Sequence, residues 1–144
     1  MIEGMFDNGA MPVLERLVQF TEARQKVLAD NVANLSTPYF KPRDLDVGQF
    51  QKVLARAIDQ RRARAGDPVG PLPLEDTDQI TFKPDGIQTT AQPANQNILF
   101  HDQNNRDLER TMQHVAENAL THNVAIELLR SEYSLLRTAI RERL

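Results

Sequence analysis

Cysteine and tryptophan are absent from this 144-residue sequence, and its aromatic content of 6% is low for a compact globular enzyme. Without cysteine the chain can form neither a disulfide scaffold nor a thiolate nucleophile or metal ligand. The three histidines lie at positions 101, 114 and 122, too far apart for the short spacings of zinc sites. A glycine-rich phosphate loop and a Gly-x-Ser-x-Gly elbow are also missing. We therefore expect no metal, no cofactor and no enzymatic activity.

Strong charge of one sign and long apolar runs are missing as well. The net charge is −3, so no overall field attracts nucleic acid or an anionic membrane. No apolar run approaches the roughly 20 residues that span a bilayer. Residues 1–12 lack the basic head and apolar stretch of a signal peptide. These patterns indicate either residence in the cytoplasm or export without a cleaved signal peptide.

The last third of the chain carries the clearest periodic pattern. Apolar residues recur there at alternating spacings of four and three, and no proline or glycine follows Pro93. The pattern predicts one long helix, with Asn104 or Asn105 as its N-cap. We interpret His122, the one row member that is not apolar, as a polar specifier of helix pairing. The row consists of Leu108, Met112, Val115, Ala119, His122, Ile126, Leu129, Tyr133, Leu136 and Ile140.

A second amphipathic helix is predicted near the N-terminus, from about Pro12 to about Leu35. The ends of its apolar row are hydrophobic, whereas its middle carries Thr21, Arg24 and Gln25. Such a row can hold a partner helix but is only marginally stable alone. The row consists of Leu14, Val18, Thr21, Gln25, Leu28, Val32 and Leu35.

The segment between these helices contains shorter elements. Asp46 and Gln49 can form a capping pair that opens a short helix, which is expected to end near Gly66. Residues 80–87 are typical of a small β-hairpin that turns near Asp85 and Gly86.

Charge is segregated within the same segment. Residues 39–66 carry a net charge of +4 and residues 67–107 a net charge of −5. The segment can therefore pair with itself or with a neighbouring copy, or it can be a solvated loop.

These elements predict a mainly α fold in which the long N- and C-terminal helices pair as a coiled coil. We divide the chain into the N-terminal helix of the coiled-coil core (1–38), a central segment (39–104) and the C-terminal helix of that core (105–144). The central segment, with its short helix and hairpin, is expected to project as a separate lobe. The C-terminal helix also carries apolar residues beside its main row, and uncovered apolar faces imply partners. Head-to-tail contacts between copies do not close, so they build a helical filament.

A short motif spans the end of the first predicted helix. Residues 30–41 read Asp-Asn-Val-Ala-Asn-Leu-Ser-Thr-Pro-Tyr-Phe-Lys, and Pro38 disfavours helix before it. The stretch resembles the N-terminal signature of the bacterial flagellar rod and hook family, roughly Asn-Asn-x-Ala-Asn-x-x-Thr-Pro-Gly-Tyr-Lys. It departs from that signature at Asp30, Tyr39 and Phe40, where the freedom of glycine at positive φ is lost. The matching residues are Asn31, Ala33, Asn34, Thr37, Pro38 and Lys41.

The resemblance continues just after the motif. Arg43, Asp44 and Asp46 match an Arg-Asp-x-Asp sequence that often follows in the rod family, which narrows the resemblance toward the proximal rod subunits. Considered by themselves, the two aspartates lie in a polar turn and are expected to act as caps.

The C-terminal third resembles the same family. Residues 105–112 are similar to its Asn-x-Val-Asp-Leu-x-x-Glu-Met sequence, with departures at Arg106 and Thr111. The resemblance covers about residues 12–50 and 104–141.

The resemblance implies a structural subunit of the proximal flagellar rod that self-assembles into a helical, torque-transmitting tube. Its partners would be copies of itself, other rod subunits, the junction of membrane ring and export gate, and the flagellar type III export apparatus. Neither nucleic acid nor a membrane span is expected. Its location would be the periplasm-spanning rod of the basal body, reached without a cleaved signal peptide. A cytoplasmic coiled-coil adaptor or export chaperone, which binds the helix of another protein, is the alternative.

The resemblance also implies roles for individual residues. Asn31 and Asn34 would cap the helix end or form hydrogen bonds there, and Thr37, Pro38 and Lys41 would form the turn that follows. We assign helix pairing and assembly to Leu14, Val18, Leu28, Val32, Leu108, Met112, Val115, Ile126, Leu129, Tyr133, Leu136 and Ile140.

Overall fold

The computed structural model of the chain describes residues 9–63, 71–94 and 108–142. The helices in these ranges are α1 (Met11–Ala33), α2 (Val47–Ala63) and α3 (Leu108–Arg141). The strands are β1 (Arg43–Asp44), β2 (Ile80–Lys83), β3 (Gly86–Thr89) and β4 (Gln92–Pro93). The predicted mainly α fold, with long terminal helices, a short central helix and a hairpin, is confirmed.

The two long helices pack against each other in antiparallel orientation. Glu15 near the start of α1 contacts Tyr133 near the end of α3, whereas Gln25 contacts Asn118, which lies earlier in α3. Since α3 has 34 residues and α1 has 23, their lengths are about 51 Å and 35 Å. The last turns of α3 therefore extend beyond the start of α1.

The main apolar core lies on the other side of α1. Phe20 of α1 stacks on Phe50 of α2, with ring centroids 4.0 Å apart and an angle of 4° between the rings. Leu45, Leu54 and Ile80 complete this buried cluster. The expectation that the central segment projects as a separate lobe is therefore corrected for the described residues. Helix α2 and the hairpin bury their apolar faces against α1. One face of α1 binds α3 and another binds the central segment.

Two small antiparallel pairings organise the chain around that core. Strands β2 and β3 form the predicted hairpin, and Lys83 pairs with Gly86. The two-residue turn is therefore Pro84–Asp85, one residue earlier than predicted, because a proline without an N–H fits the turn better than a paired position. Strand β1 pairs with β4, which joins the segment after the motif to the segment after the hairpin.

The start of α2 differs in one detail from the predicted capping pair. The Asp46 carboxylate accepts a hydrogen bond from the Gln49 backbone N–H at 2.9 Å, as an N-cap does. The backbone N–H of Asp46 donates instead to the side chain of Gln79, at 2.7 Å. Gly66, and the predicted caps Asn104 and Asn105, lie outside the described residues.

The segregated charges of the central segment do not pair with each other in the part of the chain that is described. No ion pair there joins a basic side chain of residues 39–63 to an acidic side chain of residues 71–94. Arg43 pairs instead with Asp30 of α1, and Asp44 pairs with Arg24.

Candidate assembly interface

The centre of the contact between α1 and α3 is polar. Asn118, which is 3% exposed, donates from its amide to the Thr21 carbonyl and to the Gln25 side chain, both at 2.9 Å. One turn further along α3, His122 Nδ1 lies 2.8 Å from Thr21 Oγ1. The Thr21 hydroxyl also lies 2.9 Å from the carbonyl oxygens of Leu17 and Val18. The tautomer of His122 decides whether Nδ1 or the Thr21 hydroxyl is the donor in the contact between them.

A charged cluster continues the polar contact toward the motif. Both ends of the Asp44 carboxylate accept hydrogen bonds from Arg24, at 2.8 and 2.7 Å, and Arg24 is buried. His114 Nδ1 of α3 lies 3.7 Å from the same carboxylate. The carboxylate also accepts from the Leu45 backbone N–H at 2.8 Å. Asp44 therefore links three parts of the chain rather than capping a helix, which corrects the expectation from its sequence context.

The side chains of α3 that face α1 form a row that differs from the predicted row. At several turns the facing residue lies one position before the predicted residue. Val115, His122, Leu129 and Leu136 belong to both rows and are half-buried. Between them, Asn118 and Ala125 are the buried residues of the helix. The facing row consists of Thr111, Val115, Asn118, His122, Ala125, Leu129, Glu132 and Leu136.

The other predicted pairing residues differ in how far they are covered. Leu14 and Leu28 of α1 are buried, and Val18, Val32 and Ile126 are half-buried. Four members of α3 are 40–47% exposed, so they do not form the centre of the pairing. They are Leu108, Met112, Tyr133 and Ile140.

The motif forms a hydrogen-bonded junction at the end of α1. Asn31, which is buried, donates to the Arg43 carbonyl at 2.6 Å and accepts from the Arg43 N–H at 3.0 Å. Its amide thus pairs with the backbone of β1 as a strand residue would. Asn34 donates to the Asp30 carbonyl at 2.9 Å, and Thr37 donates to the Asn34 side chain at 3.3 Å.

The turn within the motif contains an unusual backbone conformation. The Phe40 N–H donates to the Thr37 carbonyl at 3.3 Å, with Pro38 and Tyr39 between them. Tyr39 adopts φ of +61°, a region that side-chain-bearing residues rarely occupy. This is the position at which the family signature has glycine, which adopts positive φ without strain. The remaining motif residues Ala33, Pro38 and Lys41 are exposed.

Large apolar residues are exposed on one side of α3. Four residues at spacings of four and seven lie on one side of the helix, and their exposed fractions range from 50% to 67%. We call this surface the outer stripe; it consists of Leu120, Val124, Leu128 and Leu135.

The described residues offer little for chemistry. Within them, no group of three or more histidine, aspartate or glutamate side chains could hold a metal ion. An open groove of about 600 Å³ lies beside Asp44 and Asp46, but Asp44 is bound to Arg24 and Asp46 caps α2. None of the described helices is long and apolar enough to cross a membrane.

Comparison with known proteins identifies the family. The flagellar basal body rod protein FlgB of Cereibacter sphaeroides is 30% identical over 128 residues, which cover 83% of this chain and 84% of that protein. The chain belongs to the FlgB family. The FlgB of Yersinia enterocolitica is 29% identical, covering 85% of this chain and 86% of that protein. The FlgB of Bacillus subtilis strain 168 is 23% identical, covering 92% and 94%. No protein-family model matches the chain.

Sequence reasoning missed several residues that hold this FlgB-family chain together. Asn118 was overlooked because the row was selected by hydrophobicity, although it lies four residues before His122. The polar Thr21 and Gln25 in the middle of α1 were a usable signal, since a buried polar row requires polar partners on the facing helix. Nothing in the sequence indicates that Gln79 completes the cap of α2.

Proposed function

We propose that this chain is a structural subunit of the flagellar basal-body rod, without enzymatic activity, that assembles through its two long helices. The outer stripe of α3 carries the proposal. That helix already packs on α1 through another face, yet four large apolar residues on this side remain at least half exposed. Such a surface marks a protein contact, and covering it with neighbouring subunits supports head-to-tail assembly into a tube.

The partners and location follow from the same proposal. Copies of this chain and other rod subunits would cover the outer stripe, and the junction of membrane ring and export gate would be the base of the rod. Delivery through the flagellar type III apparatus, without a cleaved signal peptide, would place the chain in the periplasm-spanning rod. The torque passes through the helix pair, which comprises segments 1–38 and 105–144, while 39–104 lies outside it. Membership of the FlgB family disfavours the alternative of a cytoplasmic adaptor or export chaperone.

The polar centre of the helix pair supports this delivery route. A contact built around Asn118, His122 and Thr21 buries fewer apolar groups than a leucine seam, so the pair is only marginally stable before assembly. A marginal pair unfolds readily for passage through a narrow channel and gains stability when neighbours cover it.

The test replaces one residue of the outer stripe. Val124→Lys places a charge on the stripe at a position that is 59% exposed, so the fold of the free chain is expected to change by less than about 0.5 kcal/mol. Incorporation into isolated basal bodies and swimming should both be lost. Asn123→Lys, at the exposed neighbouring position off the stripe, is the matched control and should swim normally. Normal swimming of the Val124→Lys variant would overturn the proposal.

The facing side of α3 offers a second variant. Leu129 is half-buried where α3 faces α1, and Leu129→Asp places a charge in that contact. We expect it to separate the helices and to abolish rod assembly and motility.

A further inference from the structure

Tyr39 combines backbone strain with an unused side chain. Its φ of +61° is unfavourable for any residue with a Cβ, and its side chain is 76% exposed. Within the described part of the chain, no hydrogen bond or ring contact holds this side chain. Glycine or asparagine would form the same turn with less strain. The aromatic ring is therefore not explained by the folding of the chain itself.

We propose that Tyr39 is an anchor that docks on the outer stripe of a second copy of this chain. This inference rests on the proposed assembly function and names the contact that makes it. The Tyr39 ring and the outer stripe are both exposed on a single copy. When the ring of one copy packs on the stripe of another, both surfaces are buried. Large aromatic residues are the side chains that most often dominate protein interfaces.

Charge complementarity favours a second copy as the occupant. Lys41, two residues beyond the anchor, is exposed and forms no ion pair with the described residues. Glu117 is exposed on α3, three residues before Leu120 and seven before Val124, so it borders the stripe. Its carboxylate accepts from the neutral Gln113 amide at 2.8 Å rather than from a cation. With Tyr39 on the stripe, Lys41 of one copy can pair with Glu117 of the next.

The anchor and the outer stripe are separate surfaces of the chain. Tyr39 lies beyond the end of α1, whereas Leu120, Val124 and Leu128 lie in the middle of α3. In the proposed assembly each copy presents its anchor to one neighbour and its stripe to another, which is a heterologous contact. Such a contact adds copies one after another instead of closing on a dimer.

The first test gives opposite effects on folding and on assembly. Tyr39→Gly and Tyr39→Asn relieve the strained backbone, so thermal unfolding of the free chain should shift upward by a few degrees. Both variants should nevertheless lose incorporation into basal bodies by about tenfold or more. Tyr39→Phe keeps the ring and should incorporate like the unmodified chain. Incorporation of the glycine and asparagine variants at the unmodified level would overturn the inference.

Charge reversal supplies a second readout. Lys41→Glu and Glu117→Lys should each reduce incorporation, and the double variant should restore it. If the double variant incorporates no better than either single variant, the proposed pairing of Lys41 with Glu117 is contradicted.

Cross-linking then identifies the occupant. Because the chain has no cysteine, a variant carrying Tyr39→Cys and Val124→Cys can form disulfides at those two positions only. Oxidation of basal bodies should give a ladder of linked copies, whereas a variant with Tyr39→Cys and Asn123→Cys should give little. Products that stop at the dimer, or equal yields from the two variants, would overturn the inference. If the unmodified chain is absent from basal bodies, the proposed function fails; if it is present and cross-links do not form, only this inference fails.

Discussion

The pairing of Arg24 with Asp44 gives the sharpest prediction about stability. Arg24→Met keeps most of the length of the side chain but removes its charge and both hydrogen bonds to the carboxylate. The Asp44 carboxylate, whose side chain is 20% exposed, then loses its arginine. Because an unpaired charge that is largely removed from water is costly, this variant should unfold much more easily than the unmodified chain.

The expected magnitude follows from the geometry. Opposite charges about 4 Å apart attract by about 4 kcal/mol at an effective dielectric constant near 20. Part of this attraction is offset by removing Arg24 and Asp44 from water, since their side chains are only 10% and 20% exposed. We therefore expect Arg24→Met to lower the free energy of unfolding by about 3 kcal/mol, and the coupling between the two side chains to be about 2 kcal/mol.

Urea unfolding followed by circular dichroism measures these energies. The set comprises Arg24→Met, Asp44→Asn and the double variant, since a cycle isolates the pairwise energy. Arg43→Met is the matched control: its ion pair with Asp30 has side chains 51% and 44% exposed, so its loss should cost less than about 0.5 kcal/mol. Equal losses in Arg24→Met and Arg43→Met, or a coupling near zero, would refute the reasoning.

Three further predictions concern the junction, the core and a tyrosine. Asn31→Ala leaves two backbone groups without their amide partner, so the free energy of unfolding measured in urea should fall by about 2 kcal/mol. A decrease below about 0.5 kcal/mol, which is typical of surface substitutions, would contradict the role of Asn31 in the junction. Phe50→Ala should cost about 3–5 kcal/mol by the same assay, and a loss near 1 kcal/mol would mean that the stack with Phe20 is not part of the core. Partial desolvation and the nearby Glu15 carboxylate raise the pKa of Tyr133, so its contribution to stability is present at neutral pH and is lost as pH rises through the folded-state pKa. In a Tyr39→Phe background, Glu15→Gln should lower the pKa of Tyr133 in an absorbance titration, and an unchanged midpoint would contradict the contact.

The long elements could be predicted because their patterns are local. The predicted end of α1 near Leu35 lies two residues beyond its observed last residue, Ala33. The predicted row from Leu108 to Ile140 matches the extent of α3 closely. Apolar spacing, and for α1 the proline within the motif, are enough to set these limits, since they act within one or two helical turns.

The residues that form the contact between α1 and α3 were predicted less well. Hydrophobic spacing favoured Met112 and Tyr133, yet the small Ala125 and the amide of Asn118 occupy the centre of the contact. The apolar spacing of α3 carries no information about α1, the helix on which it packs. There Thr21 and Gln25 supply the hydrogen-bonding groups that accept from Asn118.

Long-range polar contacts were the least accessible part. Asp44 and Arg24 are 20 residues apart, and the charge pattern alone gave no reason to pair them. Asn31 was expected to act at the helix end, but its two hydrogen bonds reach the backbone of Arg43 in the next strand. Such contacts depend on how the chain turns after α1, which includes the positive φ of Tyr39.

Accessibility of the outer stripe in the assembled rod tests the central claim most directly. Val124→Cys and Asn123→Cys each place a single thiol on the otherwise cysteine-free chain, so maleimide labels one defined position. In the free chain the two thiols should react at similar rates. In purified basal bodies we expect the thiol at position 124 to react at least about tenfold more slowly than in the free chain, because a neighbour covers it. Equally fast labelling of position 124 in both states would show that the stripe stays exposed, and would contradict the account.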